Sequence, residues 1–258
     1  MPVWRLWQAE SVVDRSFGDM SLAELYDGLN PWGAGDDFCL DLVMSARAVL
    51  DVGCGTGKLL HRARGRGHRG RLTGIDPAAA MLVQARRREP GVEWVLGELR
   101  TIAWRGEFDL VVMTGHAFQV LVQDEELRVA LRAVRDALAP GGRFVFETRN
   151  PAARAWESWT PDRVRLLICP DGGVVKVWQE VETVPAAADR VTFTETFEGG
   201  RWAQPRVSRS TLRFLDRAAL SGFLAGAGLA VVEQYGDWER GPLTSASPEI
   251  ITVARPTH

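Results

Sequence analysis

The sequence predicts an α/β fold, a doubly wound and mostly parallel sheet of seven strands with an antiparallel β-meander inserted after the fifth. Three observations predict it. Apolar, β-type runs alternate with helical patterns between Ala48 and Thr148. The first of these runs ends in glycines at alternate positions, Gly53, Gly55 and Gly57, before Leu59 and Leu60 open a helix. Beyond Asn150 the rhythm changes to alternating apolar and polar residues, separated by Gly172-Gly173, Ala188-Asp189 and Gly199-Gly200, as hairpins read.

The elements follow in order. Ser21 to Tyr26 reads as a short helix, with Ser21 as its cap and Glu24 completing a capping box. Asn30-Pro31-Trp32-Gly33 breaks it, and Asp36 to Ala46 carries apolar residues at helical spacing. Ala48–Val52 is the first strand, followed by a helix from Thr56 to about Arg66. Arg71–Ile75 is the second strand. Pro77 is expected in the first turn of the next helix, where its missing N–H costs nothing. Val92–Leu96, Phe108–Met113 and Arg143–Thr148 are the third, fourth and fifth strands. Asp124 to Ala139 is the helix before the fifth, stopped by Pro140-Gly141-Gly142. Arg163–Cys169, Val174–Val184, Arg190–Glu198 and Arg206–Leu215 form the meander. Asp216 caps a last helix, and Leu229–Gln234 and Ile250–Ala254 complete the sheet. Three parts result: an N-terminal helical cap (1–46), an α/β domain (47–150 and 216–258), and an inserted antiparallel β lid or substrate subdomain (151–215).

Composition narrows the function classes. A hydrophobic share of 46% and a charged share of 25% suit a globular chain with a full core. The net charge of −2 argues against a dedicated nucleic-acid binder. Cys39, Cys54 and Cys169 are far apart and match neither a zinc spacing nor a disulfide framework, so no metal is expected and a reducing cytoplasm is. Met1 to Glu10 lacks the apolar core of a secretory signal, and no apolar run has the length of a membrane span. The basic run His61 to Arg69 reads as the solvated end of the first helix of the α/β region rather than a phosphate-binding patch.

Glycines at a strand-to-helix turn adopt dihedrals closed to other residues and let a ligand touch the backbone. Three cofactors compete for such a turn. A P-loop needs four residues between Gly and Gly-Lys, whereas Gly53 and Gly57 have three between them. A dinucleotide fingerprint needs a third glycine where Lys58 stands. The pattern Asp-x-Gly-x-Gly-x-Gly matches from Asp51 to Gly57 at every position.

On these residues the chain resembles the class I S-adenosylmethionine-dependent methyltransferases, whose fold is Rossmann-like. Val49 to Gly57 is similar to their first motif. Gly74-Ile75-Asp76 with Met81-Leu82 resembles the second, and Gly97-Glu98-Leu99 stands in place of the third. Phe108 to Val112 and Leu138 to Phe144 resemble the fourth strand and the entry to the fifth. Tyr26-Asp27-x-x-Asn30-Pro31-Trp32 resembles a segment that precedes the glycine motif in bacterial small-molecule members. The resemblance implies S-adenosyl-L-methionine as cofactor and S-adenosyl-L-homocysteine as product. It implies cofactor contacts from Tyr26, Trp32, Asp51, Gly53, Cys54, Gly55, Gly57, Asp76, Pro77, Met81, Glu98, Leu99, Thr114 and Gly115. A carboxylate at Asp76 suits the ribose hydroxyls. Glu98 and Leu99 suit the adenine, and Thr114 offers its backbone to the cofactor amine.

His116 is the sharpest candidate for a general base, because its unperturbed pKa lies near ~6.5. The plain alternative is a loop histidine that shapes the pocket. Tyr26 is a second catalytic candidate. His116, Phe118, Gln119, Arg149, Asn150 and Trp156 are candidates for substrate contact. Arg149 suits a substrate carboxylate or a structural ion pair. Trp32, Trp156, Trp159, Trp178, Trp202 and Trp238 lie outside the parallel strands and are expected in a lid or in the core of the meander. The expected activity is methyl transfer to O or N of a small molecule. The expected partners include neither nucleic acid nor membrane, and a homodimer is expected to form through the β insertion. The rivals are an NAD(P)-dependent oxidoreductase, which here lacks a Tyr-x-x-x-Lys set, and a cofactor-binding, cyclase-like protein that transfers no methyl.

Overall fold

The computed structural model describes residues 13–101, 103–169, 172–184, 189–200 and 202–257. The expectation for Met1 to Glu10 lies outside them. The chain opens with three single helical turns, α1 (Arg15–Gly18), α2 (Met20–Ala23) and α3 (Tyr26–Leu29). The cap of α2 is Asp19 rather than Ser21. Its Oδ1 accepts from the Ser21 N–H at 2.9 Å and from the Ser21 hydroxyl at 2.7 Å. A carboxylate one place before Met20 faces the open N–H groups of the turn, and the serine is left to bond the cap itself. In α4 (Ala34–Ser45) Asp36 closes the start by accepting from the Gly33 N–H at 2.9 Å.

The α/β succession follows: β1 (Ala48–Val52), α5 (Lys58–Gly65), β2 (Arg71–Asp76), α6 (Ala79–Arg88), β3 (Glu93–Leu96), β4 (Phe108–Met113), α7 (Asp124–Ala137) and β5 (Leu138–Arg149). Two local expectations are corrected. Pro77 lies outside α6, because Asp76 Oδ1 accepts from the Ala78 N–H at 2.8 Å and holds Pro77 in a turn before the helix. Pro140-Gly141-Gly142 does not separate helix from strand, because β5 already pairs at Leu138, opposite Phe108. A register shift follows before Arg143 meets Leu110, and Gly141, at φ +79°, lies in that irregularity.

The meander is β6 (Arg165–Ile168), β7 (Val174–Thr183), β8 (Arg190–Gly199) and β9 (Arg206–Arg213). It forms its own antiparallel sheet in that order. Then α8 (Arg217–Gly226), capped by Asp216 through the Ala219 N–H at 2.8 Å, leads into β10 (Leu229–Tyr235) and β11 (Glu249–Pro256).

The main sheet runs β10-β11-β5-β4-β1-β2-β3. β11 pairs antiparallel with both neighbours, and the other pairings are parallel. Both faces are covered, as parallel strands require. Leu50, Val111, Phe144 and Phe146 pack with residues of α7 and α8. Val49, Leu110, Val112 and Val145 pack with residues of α4 and α5. Strand order reverses between β1 and β4, so a ligand crevice is expected at their carboxyl ends.

The helical turns α2 and α3 bridge the meander and α6. Leu22 and Leu25 pack on Val175, Val177 and Phe197 of the meander. On the opposite side, Ala23 and Tyr26 pack on Ala78 and Met81 beside α6. No helix among the described residues is long and apolar enough to cross a membrane.

Candidate active site

The glycine turn is built as the sequence spacing requires. Gly53, Gly55 and Gly57 have φ of +71°, +54° and +73°. A Cβ on Gly53 would stand 2.8 Å from Ala117 Cβ, and one on Gly57 would stand 2.5 Å from the Trp94 ring. Ala117 and Trp94 thus fill the space that a side chain would take at Gly53 and Gly57. Cys54 is buried within it, and burial pushes its thiol pKa up.

Asp51 is fully buried below the turn, and its Oδ1 has no hydrogen-bond partner among the described residues. Burial, reinforced by the acids Asp76, Glu147 and Asp36, pushes its pKa up to about 8. An orphaned, buried acceptor fits a ligand that brings an N–H or ammonium donor. Asp76 accepts from the Gly55 N–H at 2.9 Å through Oδ2, so β2 and the turn are fixed to one another. Burial raises its pKa as well. Pro77 is exposed beside it, and Met81 is buried under Tyr26.

Farther along the crevice, Glu98 pairs with Arg100 at 2.5 Å and its N–H meets Thr101 Oγ1 at 3.3 Å. Leu99 is buried in the main core. After β4, Thr114 is half-buried, and Gly115 and His116 both take left-handed φ, +64° and +62°. For a histidine this conformation is uncommon and needs outside support. Glu147 supplies it: its Oε1 accepts from the His116 N–H at 2.9 Å, and burial raises its own pKa. The His116 ring Nε2 lies 3.1 Å from each carboxylate oxygen of Glu249.

Tyr26 overhangs both glycine segments. A Cβ on Gly115 would stand 3.4 Å from its hydroxyl, and one on Gly55 would stand 4.0 Å from its ring. Burial, with the nearby acids Asp76, Asp27 and Glu147, pushes its pKa up to about 12. Its neighbour Asp27 accepts from the Thr56 hydroxyl at 2.6 Å and pairs with Arg88, so α3 is fastened directly to the glycine turn. Trp32 sits beside α5, with its ring flanked by Lys58 and Arg62 and its indole N–H donated to Asp37 at 2.8 Å.

The remaining predicted residues divide into two groups. Arg149, largely buried at the end of β5, donates from Nη1 to Gln119 Oε1 at 3.1 Å and lies over the Trp159 ring at 5.4 Å. Gln119 also receives the Arg149 N–H and donates to the Arg213 carbonyl at 2.8 Å, so it fastens β5 to β9. Phe118 stacks on Phe146 in the core at 4.2 Å. Asn150 is spent on the carbonyls of Thr244 and Ser247, at 3.1 and 2.9 Å. Trp156 is buried with Val191 and Phe214. Asp27, Arg88 and Glu249 carried no role in the sequence reading. Asp27 stands inside the Tyr26–Trp32 segment and was the one readable signal. Nothing local marks Glu249.

A methyltransferase-domain model matches residues 49–142. The chain is 32% identical over 163 residues to the 2-phytyl-1,4-naphtoquinone methyltransferase of Thermosynechococcus vestitus, covering 58% of this chain and 71% of that one. It is 25% identical over 218 residues to the cypemycin N-terminal methyltransferase of a Streptomyces species, covering 81% and 83%. Among solved structures it resembles S-adenosylmethionine-bound CalS10, an amino pentose methyltransferase of Micromonospora echinaspora. That match has 26% identity and a TM-score of 0.65, over 90% of this chain and 97% of that one.

Proposed function

We propose, from the premise that this chain belongs to the class I S-adenosylmethionine-dependent methyltransferases, that it methylates an oxygen or nitrogen of a small molecule with His116 as the proton acceptor. When bound, S-adenosylmethionine supplies a methyl group on a sulfonium, with its own good leaving group. The chain's residues bind, orient and move a proton. Asp51, whose Oδ1 has no partner among the described residues, would accept from the cofactor ammonium. Asp76 would hold the ribose hydroxyls and Glu98 the adenine, while Tyr26 would cover the turn and keep water out.

The observation that carries this reading is the His116–Glu249 pair beside Gly115. With its Nε2 proton donated to Glu249, His116 keeps Nδ1 as the acceptor. The proton of an attacking O–H or N–H would pass to Nδ1, and the Glu249 carboxylate would balance the imidazolium so formed. A positioned base of this kind contributes roughly 10²–10⁴-fold. Alignment of the reactants supplies much of the rest.

The test is transfer from methyl-labelled S-adenosylmethionine into a small-molecule extract, followed by assignment of the labelled atom. Label on oxygen or nitrogen, lost in His116→Ala, is the expected result. Label on carbon, or an undiminished rate in the variant, sets the reading aside. A homodimer through the β insertion belongs to the same reading: β6 is an edge strand, and Leu166 and Ile168 on it are 69% and 77% exposed. A solution mass of one chain at micromolar concentration removes it.

A further inference from the structure

Beside the His116–Glu249 pair lies a cavity of about 490 Å³, lined by Arg149, Arg154, Arg163, Glu157 and Glu249 among others. That volume falls within the range of small-molecule sites, about 300–1,000 Å³. Its charges do not cancel. Glu249 accepts a hydrogen bond from His116 and Glu157 pairs with Arg154 at 2.9 Å, so the wall carries three guanidinium groups against two carboxylates. Among the described residues no carboxylate lies within ion-pair distance of Arg149 or Arg163.

Arg149 is the informative member. Its guanidinium makes one hydrogen bond among the described residues, from Nη1 to Gln119, and otherwise rests on the Trp159 ring. Most of its five N–H donors are therefore unspent. Burial pulls its pKa down, and the nearby Glu249 and Glu147 offset this only in part. Such a charge is costly unless something pairs with it. Trp159 and Gln119 fix the guanidinium plane while leaving donors open, the arrangement that a bidentate oxyanion fills. Arg163, exposed at the cavity wall, adds a second cation.

We infer that this cavity holds an oxyanion of the methyl acceptor, a carboxylate or a phosphate, on Arg149 with Arg163 as second cation, so that the acceptor's nucleophile points at His116. The inference rests on the proposed methyl transfer for its second half only. Glu249 lines the cavity and bonds His116, so an acceptor anchored on Arg149 is within one residue of the base.

Two experiments test it. In the first, methyl-labelled S-adenosylmethionine and enzyme are given three portions of a small-molecule extract: untreated, phosphatase-treated, and esterified at its carboxylates. Label is expected in products that anion exchange retains. Loss of labelling after esterification identifies a carboxylate, and loss after phosphatase identifies a phosphate. Label confined to neutral or cationic products overturns the inference while leaving the proposed function standing. The second experiment needs no turnover. Enzyme saturated with S-adenosylhomocysteine is titrated in a thermal-shift assay with inorganic phosphate and a panel of mono-, di- and tricarboxylates. At least one is expected to stabilise the wild type, with an apparent affinity weakened about tenfold or more in Arg149→Gln and in Arg163→Glu. Arg163 is exposed, so its variant keeps the fold. No response of the wild type to any probe, or equal responses in wild type and Arg163→Glu, overturns the inference. Absence of any labelled product together with a positive thermal shift counts against the proposed function and not against the anion site.

Discussion

Glu249 stands opposite Arg149 in the β5–β11 ladder, yet its carboxylate bonds His116, with 3.1 Å from each oxygen to Nε2. The reversed strand β11 thus delivers an acid to a loop 133 residues earlier. If Glu249 orients His116 and balances its charge, Glu249→Gln keeps the shape and removes the charge. We expect kcat to fall about tenfold or more, with cofactor Kd unchanged within twofold. Glu249→Asp is expected to recover part of kcat. Equal losses in kcat and cofactor binding point to a structural role instead.

Asp51 makes the protein's stability depend on pH. Its folded pKa is raised to about 8, against an ordinary value near ~3.9 in the unfolded chain. Between those values the folded state holds a proton that the unfolded state has lost. Its contribution is therefore present below about pH 4 and is lost as pH rises through 8. The cofactor-free wild type is expected to lose melting temperature over that window, and Asp51→Asn to lose less. Pairing with the cofactor ammonium favours the carboxylate, so binding near pH 7.5 is expected to release a proton. Calorimetry in buffers of different ionisation enthalpy reads it directly. A buffer-independent enthalpy in the wild type defeats this role for Asp51.

Much of this arrangement was readable from local sequence. The glycine turn, Asp76 and the loop at Thr114 each sit next to the strand that positions them, so local spacing together with the family resemblance points to them. The cap of α2 lies two residues before the serine that the sequence favours, because Asp19 takes the N–H of Ser21. Phe118, Asn150 and Trp156 stood near the crevice in sequence, but their side chains serve the core, a loop bracket and the meander. Whether an aromatic ring turns inward at a strand end depends on its neighbours, which Phe146 and Phe214 decide here. Glu249 and Asp27 act across long separations, and no periodicity marks such contacts.

Tyr26 is expected to cover the glycine turn rather than to take a proton. With a pKa pushed up to about 12, it is neutral throughout the physiological range. Tyr26→Phe keeps the ring against Phe17 and over Gly55 and Gly115. Its kcat is expected to stay within a few-fold of wild type. Tyr26→Ala opens the turn to water, and cofactor Kd is expected to rise about tenfold or more. A steep loss of kcat in Tyr26→Phe, with binding intact, restores the tyrosine as a catalytic group.

The fastening of α3 to the turn is a separable contribution. Asp27 holds Thr56 and Arg88 together, and both charged side chains are 29% exposed. Asp27→Ala leaves Arg88 without its carboxylate and is expected to cost about 1–2 kcal/mol. Because the cap is also gripped by the meander, the chain should still fold. The loss should appear as weaker cofactor binding and as faster proteolysis before Gly33, the latter reversed by saturating S-adenosylhomocysteine. Unchanged proteolysis removes the fastening role.

Two glycines separate conformational need from mere presence. Gly53 has φ +71°, and a Cβ there would stand 2.8 Å from Ala117 Cβ. Gly65, the last residue of α5, has an ordinary φ and nothing within 4 Å of a Cβ. Gly65→Ala is therefore expected to be neutral or to stabilise by about 0.4–1 kcal/mol. Gly53→Ala carries both a left-handed alanine, costing of order 1–2 kcal/mol, and the clash with Ala117. Adding Ala117→Gly removes the clash and leaves the dihedral cost. Melting temperature is thus expected to recover only in part in the double variant. Cofactor affinity is expected to stay low, because relief of the left-handed dihedral shifts the backbone that must meet the ligand. Full recovery of affinity in the double variant would place the requirement at Ala117 and remove it from the turn.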